Sequence, residues 1–269
     1  MPSVKSRDGT SIGYTRIGEG PPVVLVDPAG GFRGFGLLTP LADQLASDFT
    51  AITYDRRGRG ESGDTPPYAV EREVEDLAAI IEVAGGSAYV YGFSSGAVLA
   101  LWAAGDGLPI QKLALLEPPL AFVPDPEGEK LGDEVAALVA AGRPGDAVMH
   151  FNRTIGVPEE MLTGMRDAPW WPAMESAAHT LAYDTRITAG FAVERLAQIT
   201  TPTLVVDSTA SDERLHSWAA AAAEALPNGV QRTLDGEWHG VAPEILAPVM
   251  RDFYLADRPA LSATGLRSR

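Results

Sequence analysis

The stretch Ala88-Tyr89-Val90-Tyr91-Gly92-Phe93-Ser94-Ser95-Gly96-Ala97 decides how the rest of the chain is interpreted. Residues 88–91 form an apolar run that predicts a buried strand, and residues 97–102 predict a helix. Between them lies G-x-S-x-G, which in a strand-turn-helix context is the pattern of a nucleophile elbow. Such a turn lifts the Ser94 hydroxyl clear of the sheet, and its small residues let strand and helix approach closely. Glycine is frequent here, 28 of 269 residues, so a plain glycine-rich connection is the alternative.

Further apolar runs and helical spacings surround this elbow. Strands are predicted at 23–26, 51–54, 88–91, 112–116, 203–206 and 231–234, and helices at 37–46, 70–83, 97–104, 215–226 and 245–254. An Asp8-Gly9 pair between extended segments at 4–6 and 10–16 predicts a hairpin. Its two strands precede the other six, so residues 23–26 are the third predicted strand and residues 112–116 the sixth. Strands that alternate with helices predict an α/β fold with a mostly parallel sheet covered by helices on both faces.

The alternation breaks after the sixth strand. Residues 118–199 contain helical segments and several prolines but no convincing strand, which predicts a helical cap. We therefore expect a core of residues 1–117 and 200–255, a cap of residues 118–199, and a flexible tail over residues 256–269. Within the cap, Trp170 and Trp171 lie between two prolines, and we expect at least one of their rings to face a substrate pocket.

Composition excludes several classes of function. The net charge of −15 argues against nucleic acid and anionic membranes as partners. No apolar stretch reaches the length of a membrane span, and the first residues lack the apolar region of a secretory signal. The absence of cysteine excludes thiolate chemistry and disulfides, and fits a cytoplasmic protein. A homodimer remains open.

No cofactor is expected. The four histidines, at positions 150, 179, 216 and 239, do not form a His-x-x-x-His metal pattern. Neither G-x-x-x-x-G-K-[ST] nor G-x-G-x-x-G occurs, so no nucleotide site is predicted. We expect a small-molecule substrate and neither a metal nor an organic cofactor.

A serine nucleophile needs a base beside it and a third group to orient that base. His239 follows the last predicted strand, where the histidine of a Ser…acid…His chain order belongs. For the acid, Glu117 ends the sixth strand before Pro118-Pro119, and a carboxylate after such an apolar strand needs a partner. Asp212, after the seventh strand, is the alternative acid, and Asp207 is a third candidate.

Two backbone donors are required for the oxyanion that develops during acyl transfer. The N–H of Ser95, directly after the nucleophile, is one candidate. The loop Asp27-Pro28-Ala29-Gly30-Gly31 after the third strand offers Ala29 as the other, because Pro28 has no N–H.

Together these segments resemble the α/β-hydrolase superfamily over nearly the whole chain. Residues 54–63 (YDRRGRGESG) look like its loop after strand four, and residues 91–97 (YGFSSGA) look like its elbow. Residues 116–119 (LEPP) and 238–244 (WHGVAPE) look like an actinobacterial-like bacterial subgroup of serine hydrolases with unassigned substrates. The resemblance implies an eight-stranded, mostly parallel sheet with a helical cap inserted after strand six.

Two departures from the family pattern concern the site. Asp27-Pro28 stands where His-Gly is usual before the oxyanion loop. The usual acid position after strand seven falls nearer Ser211 than Asp212, which leaves the choice between Glu117 and Asp212 open.

The expected activity is hydrolysis of a carboxylic ester through an acyl-enzyme. Ser94 would attack, His239 would shuttle the proton, and Ala29 and Ser95 would donate to the oxyanion. The alternatives are a lyase or cyclase that uses the same pocket, and a non-catalytic binding protein of hydrolase ancestry.

Overall fold

A computed structural model describes residues 2–122 and 126–256 of the chain. Its centre is a single eight-stranded sheet with the order β1-β2-β4-β3-β5-β6-β7-β8. The strands are β1 Ser3–Lys5, β2 Ser11–Ile17, β3 Pro22–Val26, β4 Thr50–Tyr54, β5 Ala88–Phe93, β6 Ile110–Leu116, β7 Thr203–Ser208 and β8 Gly229–Leu234. β2 pairs antiparallel with both β1 and β4, and the remaining pairings, from β4 through β3 and β5 to β8, are parallel. The predicted eight-stranded, mostly parallel sheet is confirmed.

Helices cover both faces of this sheet. The helices of the described chain are α1 Thr39–Leu45, α2 Val70–Val83, α3 Ser95–Gly105, α4 Pro126–Ala140, α5 Pro144–Thr154, α6 Glu159–Leu162, α7 Trp171–Ala177, α8 Leu181–Ala189, α9 Glu213–Ala225 and α10 Pro243–Leu255. The predicted tail lies outside the described residues beyond position 256. No helix of the described ranges is long and apolar enough to cross a membrane.

The core has two layers because successive side chains of a strand point to opposite faces of the sheet. On β3, Val24 and Val26 pack into a cluster with α2, α3 and α9, whereas Val23 and Leu25 pack into a cluster with α1 and α10. All four valine and leucine side chains are fully buried. A strand buried on both faces reads as a continuous apolar run, which is why β3 is visible in the sequence.

Five helices, α4 to α8, lie between β6 and β7 and form a segment that we call the insertion (residues 118–199). The insertion has a hydrophobic cluster of its own, which includes Trp171, Met174 and Leu181. It also packs against the loop after β3. A Cβ built on Gly30 of that loop would lie 3.6 Å from the Leu181 side chain and 3.7 Å from the Met174 side chain. The insertion therefore touches the loop from which an oxyanion donor is expected.

Candidate active site

Ser94 is the single residue between β5 and α3. Its backbone lies at φ 52° and ψ −121°, a conformation that residues other than glycine rarely adopt. A Cβ on Gly92 would come within 2.5 Å of the Ala97 backbone, and one on Gly96 within 2.5 Å of the carbonyl oxygens of Val26 and Asp27. The glycines of the elbow are therefore required by close backbone contacts, and Gly96 fixes the elbow against the loop after β3.

Backbone strain marks two further residues. Among the non-glycine residues that the structure describes, positive φ occurs only at Ser94, at Glu117 (φ 45°) and at His239 (φ 53°). Such conformations cost on the order of 1–3 kcal/mol each and persist where the surroundings hold them in place. The nucleophile candidate, the base candidate and the favoured acid candidate thus share one unusual backbone property.

The structure brings Glu117 and His239 together. Glu117 Oε2 lies 2.5 Å from His239 Nδ1. Its other oxygen, Oε1, accepts hydrogen bonds from the Ser208 N–H at 2.7 Å and the Ser211 hydroxyl at 2.6 Å. The Ser211 hydroxyl in turn accepts the N–H of His239 at 3.0 Å. Ser211, near the usual acid position, therefore supports a carboxylate that comes from β6 instead.

The ionisation of Glu117 follows from these contacts. Burial disfavours the charged carboxylate, but hydrogen bonds from His239, Ser211 and the Ser208 backbone outweigh burial and lower the pKa of Glu117 below its ordinary value. Glu117 is therefore a carboxylate at neutral pH, and it can hold the Nδ1–H of His239 while Nε2 stays available as a base.

The other acid candidates lie elsewhere. Asp212 caps α9 by accepting the N–H of Leu215 at 3.1 Å, and it lies 3.4 Å from the indole nitrogen of Trp238. Asp207 is buried and pairs with a different histidine, His216, at 2.5 Å. Neither carboxylate has a hydrogen bond to His239 among the described contacts, so the geometry favours Glu117.

A cavity of about 490 Å³ opens beside this pair. Ser94, His239, Ala29 and Ser95 all line it. Ser95 is the first residue of α3, and the first N–H groups of a helix have no acceptor within the helix. The candidate nucleophile, base and oxyanion donors therefore face one space.

The structure corrects the prediction for the two adjacent tryptophans. Neither Trp170 nor Trp171 lines the cavity. Trp171 begins α7 and is buried in the insertion's own cluster, and Trp170 packs edge-on against Phe35 with ring centroids 5.3 Å apart. The tryptophans of the cavity wall are Trp218, on α9, and Trp238, next to His239.

Sequence reasoning also missed a buried charge cluster beneath the site. Arg56 and Arg59, from the loop after β4, share the carboxylate of Asp184 on α8 at 2.8 and 2.6 Å. All three side chains are at most 1% exposed. The available signal was Asp184 itself, a charge three residues from the apolar Leu181 and Ile187 on the buried face of α8.

Comparison with known proteins agrees with this fold. The model of the Alpha/beta hydrolase family matches residues 23–248, and the chain belongs to that family. The finer assignment to an actinobacterial-like subgroup stays a prediction.

Two solved structures and one curated protein illustrate the similarity. An alpha/beta hydrolase from Sphaerobacter thermophilus DSM 20745 has a TM-score of 0.87 and 50% sequence identity, covering 94% of this chain and 100% of that one. An esterase from Thermogutta terrifontis, solved with malate bound, shares the fold with a TM-score of 0.74 at 21% identity, over 94% of this chain and 97% of the esterase. The uncharacterized hydrolase YraK of Bacillus subtilis (strain 168) is 36% identical over 97 residues. That match spans 35% of this chain and 35% of the length of the curated relative.

Proposed function

We propose that this protein is a serine hydrolase that cleaves carboxylic esters with small or medium-sized hydrophobic groups through an acyl-enzyme. The observation that carries the proposal is the 2.5 Å contact between Glu117 Oε2 and His239 Nδ1, on a cavity that Ser94 also lines. A carboxylate on Nδ1 leaves Nε2 as the proton acceptor, which is the arrangement that activates a serine hydroxyl.

The proposed reaction has two halves. Ser94 Oγ attacks the ester carbonyl carbon while His239 Nε2 takes the hydroxyl proton, and the backbone N–H groups of Ala29 and Ser95 stabilise the oxyanion. The tetrahedral intermediate then collapses, and His239 returns the proton to the departing alcohol. In the second half His239 takes a proton from a water molecule whose oxygen attacks the acyl carbonyl carbon. Collapse of this second intermediate breaks the bond to Ser94 Oγ, which regains a proton from His239 as the carboxylic acid leaves.

The walls of the cavity favour an apolar substrate. Phe122, Leu131, Phe151, Phe191 and Trp218 contribute carbon surface. Three threonines also line the cavity, but their hydroxyls donate to backbone carbonyls of their own helices, at 3.0 Å for Thr154, 2.9 Å for Thr185 and 3.1 Å for Thr188. Each threonine hydroxyl therefore already donates its proton within the protein and is not a free donor to a substrate.

Charge on the cavity wall is confined to a few groups. Asp184 is occupied by two arginines, whereas Glu194 and Arg214 lie on exposed segments. A neutral ester with an apolar acyl group fits this distribution better than a charged one, because a buried charge would need a partner.

Labelling with a fluorophosphonate probe and hydrolysis of p-nitrophenyl esters of increasing chain length test this function. The wild-type protein should be labelled once, and Ser94→Ala should abolish labelling and lower kcat by about 10³-fold or more. Ser217→Ala is a matched control, because its hydroxyl only donates to the Glu213 carbonyl at 2.7 Å on the exposed face of α9. A wild-type protein that binds esters without labelling or turnover would contradict the hydrolase and favour a lyase or a binding protein.

A further inference from the structure

Asp184 joins the insertion to both sides of the predicted oxyanion hole. Its Oδ1 accepts the Ser95 hydroxyl at 2.7 Å and Arg56 Nη1 at 2.8 Å, and its Oδ2 accepts Arg59 Nη2 at 2.6 Å. Ser95 is the residue whose backbone N–H is one expected oxyanion donor. A side chain of α8 is therefore bonded directly to the residue after the nucleophile.

The same two arginines hold the loop that carries the other expected donor. Arg56 Nη1 donates to the carbonyl of Asp27 at 3.2 Å. Arg59 Nη1 donates to the carbonyls of Pro28 at 2.7 Å and Gly31 at 3.1 Å, on either side of Ala29. The Pro28 carbonyl and the Ala29 N–H belong to one planar peptide, so the hydrogen bond from Arg59 to that carbonyl constrains the direction of the Ala29 N–H.

The guanidinium groups of Arg56 and Arg59 are held in place by further hydrogen bonds, to partners other than Asp184 and the loop after β3. Arg56 donates to Glu73 on α2 through Nε at 2.7 Å and Nη2 at 3.0 Å. Arg59 Nε donates to the Thr180 hydroxyl at 3.1 Å. These side chains are buried, so water does not compete for their hydrogen bonds and the geometry is rigid.

We propose that Asp184 is a positioning residue for the oxyanion hole, which it holds in its working geometry through Arg56, Arg59 and the Ser95 hydroxyl. This inference rests on the proposed function, since an oxyanion hole matters only if acyl transfer occurs. Its consequence is that α8 completes the site: the two donors are correctly aimed while the insertion is seated on the sheet. Asp184 acts on the donors and does not itself stabilise the oxyanion.

A second buried ion pair provides a control for mere stability. Arg57 and Asp76 form two hydrogen bonds of 2.8 Å, and both side chains are at most 1% exposed. Arg57 also contacts Asp8 and the Arg72 carbonyl, which lie outside the cavity lining. Asp76→Asn therefore removes a comparable buried charge without touching the oxyanion loop.

Steady-state kinetics with p-nitrophenyl butyrate separates positioning from stability. Asp184→Asn should lower kcat by about 100-fold with KM within about threefold, because a misplaced donor affects the transition state more than the bound ester. The affinity for an alkyl boronic acid, which forms a tetrahedral adduct on serine, should fall in parallel. Asp76→Asn should lower Tm while kcat stays within about twofold of wild type.

Other kinetic outcomes overturn the proposal. A kcat for Asp184→Asn no lower than that of Asp76→Asn would leave Asp184 a purely structural residue. A raised KM with an unchanged kcat would mean that Asp184 contacts the substrate instead. Should Asp184→Asn fail to fold, Ser95→Ala decides, because it removes one bond to Asp184 while the ion pairs remain. It should lower kcat about tenfold, and an unchanged kcat would refute the positioning role.

Hydrogen exchange followed by mass spectrometry tests the same link without reference to catalysis. Peptides covering residues 27–31 and 94–97 should exchange faster in Asp184→Asn than in Asp76→Asn at equal global stability. Equal exchange in the two variants would overturn the proposal even if the protein is an active hydrolase. Failure of the proposed function would look different, since the wild-type protein would then show no fluorophosphonate label while the exchange difference persisted.

Discussion

Replacing Glu117 by glutamine changes one oxygen to a hydrogen-bond donor and leaves the shape of the side chain almost unchanged. In the native protein Oε1 accepts from the Ser208 N–H and the Ser211 hydroxyl, and Oε2 faces His239 Nδ1. The glutamine oxygen will stay at the Oε1 position, where the Ser208 N–H requires an acceptor. Its amide NH₂ then faces Nδ1, which must become an acceptor, so the ring proton moves to Nε2.

The size of the effect follows from this change of tautomer. An imidazole with its proton on Nε2 cannot take the proton of Ser94, and the amide cannot stabilise the imidazolium. The corresponding acid-to-amide change in a serine protease triad lowers kcat by about 10⁴-fold. A loss of that size corresponds to about 5 kcal/mol in the activation barrier at 1.36 kcal/mol per factor of ten. We expect Glu117→Gln to fall within a factor of about ten of this value.

The assay is hydrolysis of p-nitrophenyl butyrate, with Asp212→Asn as the matched control. Asparagine is as good a helix cap as aspartate, so the hydrogen bond from the Leu215 N–H is kept. The kcat of Asp212→Asn should therefore stay within about twofold of wild type. A large loss in Asp212→Asn with a near-normal Glu117→Gln would refute the reasoning and transfer the orienting role to Asp212.

A rescue variant sharpens the test. The Ser211 hydroxyl lies 2.6 Å from Glu117 Oε1, so an aspartate at position 211 would place a carboxylate oxygen close to the space that Glu117 leaves. Ser211→Asp in a Glu117→Ala background, where that space is vacated, should recover at least about tenfold of the kcat that Glu117→Ala loses, because the imidazole would again meet a carboxylate. Recovery would show that the position of the charge matters more than the strand from which it comes.

Three further predictions concern the loop after β3, the cavity and the elbow. The pKa of Asp27 is raised by burial from 3.8 to about 7, so wild-type stability should decline between about pH 4 and pH 7, by up to about 4 kcal/mol at 1.4 kcal/mol per unit. Asp27→Asn should remove this decline, as calorimetry at pH 4.5 and pH 8 would show, and parallel curves for the two proteins would contradict it. Trp218→Ala should shift ester preference toward longer chains, whereas Trp170→Ala, outside the cavity, should lower Tm and leave the preference unchanged; equal shifts in both would be the contrary result. Gly96→Ala should lower both kcat and Tm despite the higher helix propensity of alanine, because its Cβ would meet two carbonyl oxygens at 2.5 Å, and a Tm above wild type would be incompatible with this contact.

Local signals in the sequence were enough for the sheet and for the position of the elbow. β3, β5 and β7 are short apolar runs because both of their faces are buried, and G-x-S-x-G after β5 carries its steric reason in Gly92 and Gly96. Glu117 stood out as a charge at the end of an apolar strand, and the structure places it against His239. The catalytic roles of Ser94, Glu117 and His239 stay predictions that the kinetic experiments above address.

Features that depend on contacts between distant segments were not predictable. Asp184 meets Arg56 across 128 positions of the chain, and no local pattern links them. The orientation of adjacent aromatic residues was equally hidden. Trp170 and Trp171 point to different neighbours because a helix begins between them, and both rings are used to pack the insertion. Trp218 lines the cavity because of how α9 is rotated on the sheet, and this rotation is not visible in the local sequence.

The charges around the loop after β3 bear on why the pKa of Asp27 is raised. Arg56 and Arg59 carry two positive charges, and Glu73 and Asp184 supply two negative charges through hydrogen bonds of 2.6–3.0 Å. This buried group is balanced, so a fifth ionised side chain would add one uncompensated negative charge. Asp27 is that fifth group: it is fully buried, its Oδ1 has no hydrogen-bond partner, and burial raises its pKa to about 7 although both arginines oppose the shift.

The same balance bears on the chemistry of the site. A negative charge on Asp27 would lie in the loop that carries Ala29, the proposed oxyanion donor, and like charges at short range in a buried site repel strongly. The raised pKa favours the neutral carboxyl and so reduces that repulsion as the pH falls below about 7. The arginines direct their hydrogen bonds at the carbonyls of Asp27, Pro28 and Gly31, so these contacts do not involve the N–H groups of the loop. Asp27-Pro28, the departure from the usual family pattern, thus lies in a loop whose carbonyls are held by two guanidinium groups, and burial favours the neutral form of the Asp27 carboxyl.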